Sequence, residues 1–213
     1  MKPHAAVRLL VEGPAGTLEV VVNEVPQLAR GMALIAHPHP LHGGTLDNKV
    51  VQTLAKSCVA LGYIAVRMNF RGAGSSAGQH DHGEGETQDW LHVLEAMRSR
   101  YGGLPVLLAG FSFGAYVQSR VARVLGERGE QPVAVVLVAP AVGRFPVEPL
   151  SAETLVLHGD QDDVVALTDV LAWARPQQLP VTVLPGAGHF FHGYLPKLQQ
   201  VVVRFCSPIG NPR

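Results

Sequence analysis

An excess of charge of either sign is what this chain of 213 residues lacks: Lys and Arg total 17, and Asp and Glu total 17. A balanced chain sets up no global field. That argues against nucleic acid, an anionic membrane surface or a strongly acidic ligand as partner and leaves small neutral or modestly charged molecules. Cysteine is nearly missing as well. Cys58 and Cys206 stand alone, neither in a CxxC pair and each in a segment that reads as helix. Buried thiols in a reducing compartment are therefore expected rather than a disulfide, and the cytoplasm follows. No stretch approaches the ~18 apolar residues that a bilayer span requires. The opening residues Met1 to Glu12 are too short, are interrupted by Arg8 and show no cleavage pattern of a secretory signal. Repeats and low-complexity tracts are also missing.

What is present suits one packed core. With 47% hydrophobic and 16% charged residues, the chain is long enough for one substantial domain and short for two, so a single domain over residues 1–213 is expected. Ala5 to Glu12 and Thr17 to Asn23 read as a hairpin joined by Gly13-Pro14-Ala15-Gly16. Short apolar runs then alternate with helix-length segments. Met32 to Ala36, Tyr63 to Phe70, Pro105 to Ala109, Val133 to Ala139, Thr154 to His158 and Val181 to Leu184 read as strands. Asn48 to Leu61 (capped by Asp47), Glu86 to Arg100, Phe113 to Leu125, Leu167 to Ala174 and Leu195 to Phe205 read as helices. This alternation predicts an α/β fold: a mostly parallel sheet of about eight strands, helices on both faces, the leading pair antiparallel at one edge. The connection from Ala139 to Thr154 is too short for a folded cap, so an open site is expected.

The chemistry concentrates at Gly110-Phe111-Ser112-Phe113-Gly114, which follows an apolar run and opens a helix. That is the context of the GxSxG nucleophile elbow, where a sharp strand-to-helix turn exposes the serine hydroxyl and flanking glycines remove Cβ clashes. A serine merely capping a helix is the plainer alternative. A hydroxyl needs a base, and the base needs an acid to hold its tautomer. His158-Gly159-Asp160-Gln161-Asp162-Asp163 follows one later strand, and Gly186-Ala187-Gly188-His189 follows the next. Three carboxylates compete for the acid. Asp160 sits at the strand end, where it would bond its own turn; Asp163 would solvate or cap the following segment; Asp162 has the reach to cross to the next loop. His189, directly after the Gly-rich turn, outranks His192, which is expected to begin the last helix. For an oxyanion, backbone N–H donors are expected from Phe113 and from the loop His37-Pro38-His39-Pro40-Leu41-His42. Its prolines carry no N–H, so His39 is preferred and Leu41 is the fallback.

These segments together carry a resemblance. HPHPLHGGTLDNK, NFRGAG, GFSFGA, HGDQDD and GAGHFFHG, in that order across nearly the whole chain, look like the small capless members of the α/β-hydrolase superfamily, near dienelactone-hydrolase-like proteins and short carboxylesterases. The resemblance implies a Ser-His-Asp triad of Ser112, His189 and Asp162 and hydrolysis of esters or thioesters. Dienelactone hydrolases proper use a cysteine nucleophile where this chain has Ser112, which argues against that substrate.

Other signals weigh less. Gly72-Ala73-Gly74-Ser75-Ser76-Ala77 formally matches a dinucleotide fingerprint, but the next helix starts too late to offer its N-terminus to a pyrophosphate, so no nucleotide cofactor is expected. Arg71 reads as a loop brace through a carboxylate. His37, His39, His42, His80 and His82 tempt a metal assignment, but interleaved prolines splay the first three, and no metal is expected. Phe111, Phe113, Phe190 and Phe191 read as core or as acyl-pocket wall, and Trp90 and Trp173 as inward-packed. The expected activity is hydrolysis of a small, short-chain ester, with selectivity set by loops 37–47, 71–85 and 141–152. A thioesterase, peptidase or acyltransferase on the same residues, or an idle acyl-binding protein on the same fold, are the alternatives.

Overall fold

The computed structural model describes residues 6–150 and 153–208. Ala5 of the expected first strand, and residues 151–152 of the third loop, lie outside them. One eight-stranded sheet runs through the molecule in the order β1-β2-β4-β3-β5-β6-β7-β8. Its strands are β1 Val7–Gly13, β2 Gly16–Asn23, β3 Gly31–Ala36, β4 Tyr63–Met68, β5 Val106–Phe111, β6 Ala134–Val138, β7 Thr154–Gly159 and β8 Val181–Leu184. The β1–β2 hairpin is antiparallel, as is β2 against β4, while β3 through β8 pair in parallel.

Every residue of β3, β5 and β7 is buried, as a strand covered on both faces requires. Alternate side chains serve alternate layers. Met32, Leu34 and Ala36 join the layer that holds Trp90, Leu94, Val117 and Val121. Ala33 and Ile35 join the layer that holds Val51, Leu54, Leu198 and Val202. Helices α1 (Lys49–Ala60) and α5 (Leu195–Cys206) therefore cover one face. Helices α2 (Glu84–Tyr101), α3 (Phe113–Glu127) and α4 (Leu167–Ala174) pack their apolar residues on the other.

Three local expectations are corrected. The cap of α1 is Asn48, whose Oδ1 accepts the Val50 amide at 2.9 Å, whereas Asp47 turns outward to ion pairs with Arg8 and Arg67. Helix α2 starts two residues early, at Glu84, because the buried Glu86 carboxylate accepts the amides of Asp81 and Gly83 and so stabilises the turn before it. His192 does not begin the last helix; it lies exposed in the preceding loop, and α5 opens at Leu195 with Pro196 in its first turn, where a missing N–H costs nothing.

The chain order places the site. After β3 the chain moves to β4 on one side, then crosses to β5 on the other. The carboxyl ends of β3 and β5 thus diverge into a crevice, the position where open parallel sheets bind ligands. Ser112 follows β5 directly, and His39 follows β3.

Candidate active site

Ser112 takes φ 56° and ψ −116° between β5 and α3, a backbone conformation that costs a non-glycine residue roughly 1–3 kcal/mol and persists only where its surroundings impose it. The imposition is visible. The Ser112 amide donates to the Val138 carbonyl at 2.9 Å, and the flanking glycines sit at contacts that admit no side chain. A Cβ on Gly110 would lie 2.4 Å from the Gly114 carbonyl oxygen, and one on Gly114 would lie 2.4 Å from that of Ala36. The first turn of α3 is therefore pressed against the end of β3.

Ser112, His189 and Asp162 form one hydrogen-bonded chain. His189 Nε2 stands 3.1 Å from Ser112 Oγ, and Nδ1 stands 2.7 Å from Asp162 Oδ2. An ionised carboxylate only accepts, so the ring proton sits on Nδ1 and Nε2 is free to take the hydroxyl proton. The other carboxylate oxygen, Oδ1, accepts the Val164 and Val165 amides at 2.9 and 2.8 Å. Burial opposes the charge of Asp162, but the hydrogen bond from His189 and those two amides outweigh it and hold the carboxyl below its usual range. Asp160 does not stay within its own turn: it accepts the Gly186 amide at 2.6 Å and so ties the β7 loop to the β8 loop. Asp163 is exposed at the edge of the cleft.

The two expected amide donors differ in setting. Phe113 provides the first N–H of α3, one of the four that no helix satisfies internally. His39 borders the same cleft as Ser112 and Phe113. The fallback Leu41 amide is already donated to His39 Nδ1 at 3.3 Å, and its side chain is exposed.

Residues 39–153 match the family model described as serine aminopeptidase, S33. A serine hydrolase of the α/β type without lid, XC6422 from Xanthomonas campestris, is 35% identical and superposes with a TM-score of 0.88 over 98% of this chain and 96% of that one. The chain belongs to the α/β-hydrolase superfamily. Uncharacterized protein RP471 of Rickettsia prowazekii (strain Madrid E) is 31% identical over 86% of this chain and 82% of its own. The lysophosphatidylserine lipase ABHD12 of Rattus norvegicus is 37% identical over 50% of this chain, and the matched part spans 28% of that longer protein.

In this fold the Asp162 side chain is fully buried behind His189, and Ser112 and His189 border an open cleft of about 470 Å³. Phe113, Phe145 and Phe190 give it apolar wall; Phe111 and Phe191 are fully buried core instead. Trp90 is fully buried, and half-buried Trp173 spends its indole N–H on the Val147 carbonyl. Of the three loops expected to line the cleft, 37–47 and 141–152 do, in their described parts, but 71–85 backs it: the His80 ring packs 4.6 Å from that of His39 and 5.2 Å from that of Phe113. Residues 163–165 fill the remaining side. Arg71 is the brace foreseen, gripping buried Asp89 through Nε at 2.8 Å and Nη2 at 2.7 Å.

Two histidines that lie in stretches singled out from the sequence turn out to have supporting roles that the sequence did not reveal. His37, fully buried, accepts the Phe70 amide at Nε2 (2.9 Å) and donates from Nδ1 to the Pro38 carbonyl (2.6 Å). Burial pushes its pKa down to about 4. His158 donates from Nε2 to the Val165 carbonyl at 2.9 Å and lies next to Asp162. Among the described residues no group of three or more His, Cys, Asp or Glu has the arrangement of a metal site, and no helix is long and apolar enough to cross a membrane.

Proposed function

We propose that this chain is a serine hydrolase of small carboxylic esters with short acyl chains, working through an acyl-enzyme. One observation carries the proposal: the unbroken path from Ser112 Oγ through His189 to Asp162, with Ser112 held in strained backbone at an open cleft. Ser112 Oγ attacks the ester carbonyl carbon while its proton passes to His189 Nε2. The carbonyl oxygen becomes an oxyanion, received by the amides of Phe113 and His39. Collapse breaks the bond to the alcohol, which leaves with the proton from His189. Water then enters, gives its proton to the same nitrogen and attacks the acyl carbon; collapse breaks the bond to Ser112 Oγ, which takes the proton back from His189 as the acid leaves. Asp162 keeps the imidazole in the useful tautomer and offsets its charge.

The absence of a cap and the modest cleft favour short acyl groups over long chains. The two free, buried thiols support a cytoplasmic setting. A fluorophosphonate probe tests the proposal: it should label the folded protein, and Ser112→Ala should abolish labelling. A folded wild type that resists the probe favours an idle acyl-binding protein. Competition among matched ester, thioester and amide substrates then ranks esterase against thioesterase, peptidase or acyltransferase.

A further inference from the structure

We infer that the preferred ester carries an anionic oxyacid group, carboxylate or phosphate, received by Arg144; the inference rests on the hydrolase proposal above. Arg144 is exposed on the loop after β6 and borders the same cleft as Ser112 and His189. Arg71, Arg98 and Arg123 each hold a carboxylate. Arg144 holds none among the described residues, although Asp163 shares its cleft and Asp169 lies beside Gly143. A guanidinium stays charged at every working pH and offers a planar fork of donors that matches an oxyacid edge.

The neighbouring wall is also rich in donors. Asn48 spends Oδ1 on capping α1, which fixes its side chain and leaves the amide hydrogens of Nδ2 for the cleft it borders. His39 accepts the Leu41 amide at Nδ1, so its ring proton is on Nε2. Against these stands one carboxylate, Asp163, on the loop after β7. An uncharged ester would leave Arg144 to water, whereas an acid-bearing ester would exchange that water for a charge-assisted pair in the same cleft as Ser112. The balanced net charge of the chain does not oppose this, because the attraction is local rather than long-range.

The test uses matched esters that differ only in an acid group: mono-4-nitrophenyl glutarate against its methyl ester, 4-butyryloxybenzoate against its methyl ester, and butyryl glycerol phosphate against butyryl glycerol. The first two pairs separate acyl-side from alcohol-side placement, and the third separates phosphate from carboxylate. In at least one pair kcat/KM should favour the acid by roughly tenfold, mostly through KM. Arg144→Gln should bring that ratio to about one, Arg144→Lys should retain part of it, and Asp163→Asn should increase it. Calorimetric titration of Ser112→Ala with glutarate and with glycerol phosphate gives a second readout, with heat lost in the Ser112→Ala, Arg144→Gln double variant. Fluorophosphonate labelling is run alongside. Labelled protein with no acid preference in any pair overturns this inference alone. Unlabelled protein that turns over no ester overturns the hydrolase proposal and this inference with it.

Discussion

His158 stands behind Asp162: its Nε2, already donated to the Val165 carbonyl, lies 3.5 Å from Asp162 Oδ2, and both side chains are fully buried. The carboxylate is thus confined by Val164 and Val165 at one oxygen and by two imidazoles at the other. It has little freedom to do anything but orient His189.

Replacing Asp162 by Asn keeps the shape but offers His189 an amide, which permits the wrong tautomer. We expect kcat on a neutral ester to fall by roughly 10³ to 10⁴-fold. Asp160→Asn and Asp163→Asn should stay within about tenfold on that ester, since neither carboxylate touches His189. Full activity in Asp162→Asn overturns the assignment of the acid.

Acid should weaken the fold through His37. Burial, helped by the neighbouring His39, keeps its pKa near 4 in the fold against 6.5 for the free side chain, and protonation at Nε2 would also set a second N–H against the Phe70 amide. Between those values the unfolded chain binds a proton that the native state refuses. The stability contributed by neutral His37 is therefore complete above pH 6.5 and is lost progressively down to about pH 4. The loss reaches about 3 kcal/mol. Urea unfolding from pH 7 to pH 4 measures it. His37→Gln should be weaker at pH 7 and show a shallower slope.

Gly114→Ala should damage folding before it damages chemistry. Its methyl group would meet the Ala36 carbonyl oxygen at 2.4 Å and that of His37 at 2.5 Å, and backbone on both sides cannot yield cheaply. A loss of about 3 kcal/mol or more is expected from thermal or urea unfolding. A variant as stable as wild type would show that the approach of α3 to β3 is looser than described.

The Arg71–Asp89 pair should behave as an all-or-none brace. Asp89 is fully buried and Arg71 nearly so, and removing Asp89 leaves the Arg71 guanidinium only the exposed Asp81 carboxylate at 3.8 Å and the Gly85 carbonyl. Asp89→Ala should cost roughly 3–5 kcal/mol in urea unfolding. The paired Arg71→Met, Asp89→Leu change should cost much less, because no charge is left uncompensated.

Much of the strand and helix order could be read from hydrophobic period alone, because a strand buried on both faces must be short and apolar and a covering helix must be amphipathic. Boundaries were less legible where side chains compete for the same role. Asn48 displaced Asp47 as the cap of α1 because Arg8 and Arg67, distant in sequence, engage Asp47. The early start of α2 depended on Glu86 being buried, which no local pattern announces.

Sequence by itself determined the alternation that makes an α/β fold, the elbow Gly110 to Gly114 and the order serine, carboxylate, histidine, since each is a matter of local residue type and spacing; it left Asp160, Asp162 and Asp163 in competition. Tertiary structure alone decided which oxygen meets which nitrogen. The convergence of residues separated by 77 and 27 positions, the support from His37 and His158, and the uncommitted Arg144 at the cleft all depend on how strands are ordered across the sheet. That order is set by the packing of whole layers, which no single segment encodes.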